Sequence, residues 1–97
     1  MLFAVINKDK PDHIHIRLEN RPRHLEWLDG LNEKGTLKIA GPFLDAQEKP
    51  CGSLLLIEAA DQAAAEAIAA EDPYAHAGLF EKVEVKPYKW LYNNPEA

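Results

Sequence analysis

Ninety-seven residues, 46% hydrophobic and 28% charged, describe a single soluble globular domain, residues 1–97, with chain enough for one small core. The net charge of −5 resides in residues 51–97, while residues 1–50 balance eight basic against eight acidic side chains, which argues against nucleic acid as the main partner. No apolar run approaches bilayer length, MLFAVIN has no basic leader, and one cysteine excludes a disulfide framework or a cysteine-rich zinc site, so the expectation is a cytoplasmic protein with no membrane role.

LFAVIN (2–7) is a short run of strand formers ended by the polar NKDKPD. DHIHIRLEN alternates like a strand, yet Asp12 after Pro11 suits an N-cap and Ile14 with Leu18 fits helical spacing, so residues 12–20 read as helix. RPRHLEWLDGLNEKG is a second helical stretch, with Pro22 in its first turn, Leu25, Leu28 and Leu31 at helical spacing, and Gly35 as C-cap. TLKIAGPF (36–43) is a strand closed by a Gly41–Pro42 turn, LDAQEKPC a polar loop, and GSLLLIEAA (52–60) a long apolar strand. Asp61 caps the alanine-rich helix QAAAEAIAAE, and PYAHAG forms a short turn. LFEKVEVKPYKWLY then alternates as a last strand bending at Pro87.

This order is the split βαβ pattern of a ferredoxin-like α+β fold, βαββαβ, with a four-stranded antiparallel sheet and its helices on one face. LFAVI and LLLI are apolar at both parities, whereas a sheet covered on one side alternates apolar with polar. A second copy is therefore expected over the open face, with Phe3 or Val5 on the partner-facing side of a homodimer.

The stretches LFAVI, RPRHLEWL, AGPF, GSLLLIE and EDPYAHAGLFEKVEVKP together resemble the YciI-like (YCII-related) family over Leu2 to about Tyr88. The resemblance implies a dimeric α+β barrel, two ferredoxin-like protomers packed sheet to sheet. It also implies a cleft with a histidine and an aspartate proposed as catalytic, which map onto His24 in RPRHL and Asp72 in EDPY. One branch of the family resembles dehydrochlorinases of chlorinated hydroxyquinols, and lactone isomerases share the superfamily architecture. This chain departs from the family pattern in its short FLDAQEKPC loop and in DHIHI before the arginines.

His24 shares a helix side with Trp27, Leu28 and Leu31, which suits either a hydrogen-bonded histidine at the core edge or a general base tuned near neutral pH. Asp72 followed by Pro73 suits an N-cap, and one carboxylate oxygen can cap while the other orients an imidazole. Arg17 and Arg21 are either solvated helix charges or ligands for a substrate carboxylate; Gly41 and Pro42 offer backbone to a ligand, and Tyr74 either packs or donates its hydroxyl. His13, His15, His24 and His76 show no metal-ligand spacing, and Cys51 has no histidine beside it in sequence, so no metal, cofactor or thiol chemistry is expected. The leading expectation is cofactor-independent proton transfer of the lyase or isomerase type on a small anionic or cyclic organic molecule. The alternative is a non-enzymatic binding or regulatory dimer.

Overall fold

The computed structural model describes residues 1–96. In chain order the elements are β1 (Leu2–Asp9), α1 (Ile14–Glu33), β2 (Leu37–Leu44), β3 (Pro50–Glu58), α2 (Gln62–Ala70), α3 (Pro73–His76) and β4 (Phe80–Tyr88). The four strands form one sheet in the order β2-β3-β1-β4, every neighbouring pair antiparallel. The dimeric α+β barrel implied by the resemblance is corrected here: the sheet is open. Edge strands β2 and β4 each pair on one side only, and four strands are too few to close a packed barrel. Pro42 on β2 and Pro87 on β4 lack the N–H that further pairing would need, consistent with edge positions.

Side-chain parity sets the two faces. Phe3 and Val5 lie opposite Ile57 and Leu55 and pack with Ala59, Ala65 and Ala69 into the core, with Trp27, Leu28, Ile68 and Val85 against them. Phe3 and Val5 therefore face the helices, which corrects their expected place on a partner-facing side. The other parity, Leu2, Ala4 and Ile6 with Leu54 and Leu56, lies on the opposite face beside the exposed Ile39 and Phe43 of β2. On β4 that face is charged, with Lys82, Glu84 and Lys86 opposite Lys8, Ile6 and Ala4. Beyond Tyr88 the chain returns to the far edge of the sheet, where Glu96 pairs with Lys38 of β2 at 2.7 Å.

Residues 14–33 form one continuous helix rather than two segments, with Pro22 exposed in its interior. Asp12 is not its cap: it sits at φ 58°, and His13 occupies the N-cap position without a side-chain cap bond. The C-terminus closes as a Schellman motif, Thr36 N–H to Leu31 O and Gly35 N–H to Asn32 O, with Gly35 at φ +75°. Asp61 caps α2 by accepting from Ala64 N–H. Gly41 and Pro42 do not form a turn but pair with Leu54 and Ser53 inside β2. Gly52 is the glycine that packing requires, since a Cβ there would stand 2.4 Å from the Asn7 carbonyl oxygen.

Candidate functional site

Along the helix-facing side of the sheet, one end is apolar and the other polar. On β1 the series Phe3, Val5, Asn7, Asp9 changes character after Val5, and on β3 Ile57, Leu55, Ser53 changes after Leu55. The buried residues of α1, Leu31, His24 and Arg17, recur every seven positions and so share one face. They make the same change in the reverse chain direction. At the polar end lies a cavity of about 340 Å³, within the range of small-molecule sites. Arg17, Arg21, His24 and Leu25 of α1 line it, facing Gly41 and Pro42 of β2, Ser53 of β3 and Tyr74 of α3.

His24 and Asp72, 48 residues apart in sequence, are joined by a buried hydrogen bond of 2.8 Å from Nδ1 to Oδ1. The carboxylate can only accept, so Nδ1 carries a proton, and in the neutral imidazole Nε2 is then the nitrogen with the lone pair. Among the described residues Nε2 has no hydrogen-bond partner, and His24 forms part of the cavity wall. Asp72 is the N-cap of α3, and the oxygen that holds His24 also accepts Tyr74 N–H at 2.9 Å. Capping and contact with the imidazole thus use the same atom, not one oxygen each. Asp72 is 2% exposed and stands behind the histidine, outside the cavity lining.

The Tyr74 ring stacks on His24 with centroids 3.9 Å apart and planes 13° from parallel, and Phe80 meets it edge-on. Burial raises the Tyr74 phenol above its usual range, partly opposed by the nearby Arg17 charge. Arg17 Cζ lies 4.7 Å from the Tyr74 ring centroid. Its guanidinium is held by Asp9, with Nε and Nη2 each donating to a carboxylate oxygen at 2.8 Å, which leaves the Nη1 donors unused by that pair. Burial alone would lower the Arg17 pKa, but the hydrogen bonds and charge of Asp9 outweigh it and hold the group cationic. Arg21 is exposed at the cavity wall and has no ion pair among the described residues.

Reading the residues singly missed Asp9, Asn7 and Ser53, the last two joined by a buried hydrogen bond of 2.9 Å. The available signal was parity: continuing Phe3 and Val5 by twos reaches Asn7 and Asp9, and continuing Ile57 and Leu55 backwards reaches Ser53. Among the described residues no three His, Cys, Asp or Glu side chains come together as metal ligands, and no helix is long and apolar enough to cross a membrane.

A sequence profile of the YCII-related domain matches residues 1–89. Protein YciI of Escherichia coli O6:H1 is 38% identical over 98 residues, covering 95% of this chain and 100% of that protein. An uncharacterized protein of Haemophilus influenzae is 33% identical over 99 residues, covering 95% of this chain and 100% of its own. The solved structure of 5-chloro-2-hydroxyhydroquinone dehydrochlorinase from Burkholderia phenoliruptrix, in complex with 2,5-dihydroxybenzoquinone, superposes with a TM-score of 0.86 at 31% identity, covering 97% of this chain and 99% of that one. An antibiotic biosynthesis monooxygenase, 18% identical with a TM-score of 0.50 over 92% of this chain and 99% of its own, shares the fold alone. The buried His–Asp pair and the likeness to a dehydrochlorinase are together consistent with catalytic capacity. With a domain profile spanning nearly the whole chain and full-length relatives above 30% identity, the chain belongs to the YCII-related, YciI-like family.

Proposed function

We propose that the protein is a cofactor-independent lyase or isomerase in which His24 is the general base for a small cyclic, anionic substrate. The observation that carries this reading is the Nδ1–Asp72 hydrogen bond, which leaves a basic Nε2 on a side chain that lines a ligand-sized cavity. Asp72 holds the tautomer and stabilises the imidazolium formed on proton abstraction. Arg21 is the free cation for the substrate's negative charge, Gly41 and Pro42 supply a backbone wall, and Tyr74 supplies an aromatic one. Arg17 also lines the cavity, but its paired donors already belong to Asp9.

The likeness to the dehydrochlorinase makes chlorinated hydroxyquinols the first substrates to try. In such a reaction the base moves a hydroxyl proton to the ring carbon that bears chlorine, and loss of a second hydroxyl proton then drives chloride out as the ring becomes a quinone, so HCl is lost with no outside oxidant. The protein works as a homodimer in this reading, the open sheet face with Ile6, Leu54, Ile39 and Phe43 being the surface a second copy covers.

The test is chloride release from 5-chloro-2-hydroxyhydroquinone, alongside binding of 2,5-dihydroxybenzoquinone. Turnover should persist after exhaustive chelation. His24→Ala should lower kcat by roughly 10²–10⁴-fold while the protein stays folded. Saturable binding without turnover, unaltered by His24→Ala, would favour the alternative of a binding or regulatory dimer.

A further inference from the structure

Arg17 is the polar group that proton transfer leaves without a task. Its side chain is 7% exposed, and its guanidinium is gripped at two points by an aspartate whose side chain is likewise 7% exposed. Burying such a pair is costly unless geometry and hydrogen bonding are good, so the pair itself adds little to stability. Its placement is specific. The ladder between β1 and β4 slips between Lys8 and Asp9, so that Lys8 opposes Lys82 while Asp9 opposes Phe80. An irregularity of this kind re-aims the side chain beside it.

Arg17 and His24 are seven residues apart on α1, on one face and two turns removed from each other. Tyr74 makes contact with both, at 4.7 Å from Arg17 Cζ and 3.9 Å from the His24 ring. The charged and titratable groups around His24 are Asp72 and Tyr74 from the α3 side, Arg17 and Arg21 on its own helix, and Asp9 from β1 beyond Arg17. Strands β2 and β3 contribute only Ala40, Gly41, Pro42, Pro50, Ser53 and Leu55 to the cavity, none of them ionisable.

We infer that Asp9 and Arg17 form a charge-neutral clamp that positions His24 through Tyr74, so that Arg17 is a positioning residue and not a substrate ligand. Asp9 fixes the guanidinium plane, the guanidinium fixes the tyrosine ring, and the ring fixes the stacked imidazole against Asp72. The carboxylate also cancels the charge that Arg17 would otherwise impose on the imidazolium. The inference rests on His24 being the reactive group, but its test needs no substrate, so it can fail while the proposed reaction stands.

The experiment is NMR of the His24 ring in the full chain, reading its titration midpoint and the Nδ1 proton held by Asp72. Asp9→Asn leaves the guanidinium uncancelled and should lower the midpoint. Arg17→Gln leaves the carboxylate uncancelled and should raise it. Each shift should be on the order of half to one pH unit. Arg17→Lys keeps the charge without the planar grip, so the midpoint should hold while the Nδ1 proton broadens. Two single variants that shift the midpoint the same way, or not at all, would overturn the clamp, because general loosening has no opposite signs. Should either single variant be unfolded, the neutral pair Asp9→Asn with Arg17→Gln decides. A midpoint near that of the wild type with a broadened Nδ1 proton supports the clamp, and an unchanged Nδ1 proton overturns it.

Discussion

Asp72 Oδ1 accepts from both His24 Nδ1 and Tyr74 N–H, so one atom fixes the histidine to the start of α3. Asp72→Asn should keep the cap, since asparagine caps about as well as aspartate, and remove only the charge. The His24 titration midpoint should fall as the imidazolium loses its counter-ion, with little change in melting temperature. An unchanged midpoint in an intact fold would reduce Asp72 to a helix cap. Tyr74 provides a second residue-scale test. Burial raises its pKa above the unfolded value, so its contribution to stability is complete below about pH 10 and is lost as pH rises through the raised folded value. A difference absorbance titration between the wild type and Tyr74→Phe should place the Tyr74 phenolate step above about pH 10, with stability falling across that step.

At the scale of elements, most boundaries were legible because local chemistry sets them. Asp61 caps α2 through its own side chain, Asp72 with Pro73 opens α3, and Gly35 closes α1 at positive φ. Three readings failed where non-local packing overrides a local signal. Pro22 suits a helix start, yet it lies on the exposed side of α1, where the Leu18 carbonyl that loses its partner is open to water and the helix continues. Gly41–Pro42 suits a turn, but an edge strand tolerates both. Of the two readings of Arg17, the solvated charge fails because the residue is buried against Asp9; strand parity reaches Asp9, but not its pairing with a helix residue. The contact of His24 with Asp72 was not derivable from periodicity either. It spans 48 residues and depends on where α3 comes to rest against α1.

For the whole molecule, strand pairing leaves an open sheet whose outer face carries half-buried Leu2, Ile6 and Leu54 with exposed Ile39 and Phe43 around the buried Ala4 and Leu56, and charge on β4. Apolar side chains at both parities of β1 and β3 made that face visible in the sequence, although parity alone assigned Phe3 and Val5 to the wrong side. The homodimer proposed here should sediment at twice the chain mass at micromolar concentration. Leu54→Glu, near the middle of the face, should shift it toward monomer while leaving the His24 Nδ1 proton in place. A soluble wild-type monomer would defeat the proposal. The division of β1, β3 and α1 into an apolar end and a polar end also bears on how such a chain can diverge. The cluster of Phe3, Val5, Leu55, Ile57, Ala65 and Ala69 meets the polar end of Asn7, Asp9, Arg17, Arg21, His24 and Ser53 at Leu55, which belongs to the core and also lines the cavity. Descendants can therefore exchange one substrate for another by substitution within the polar half of each element while most of the apolar core stays unchanged.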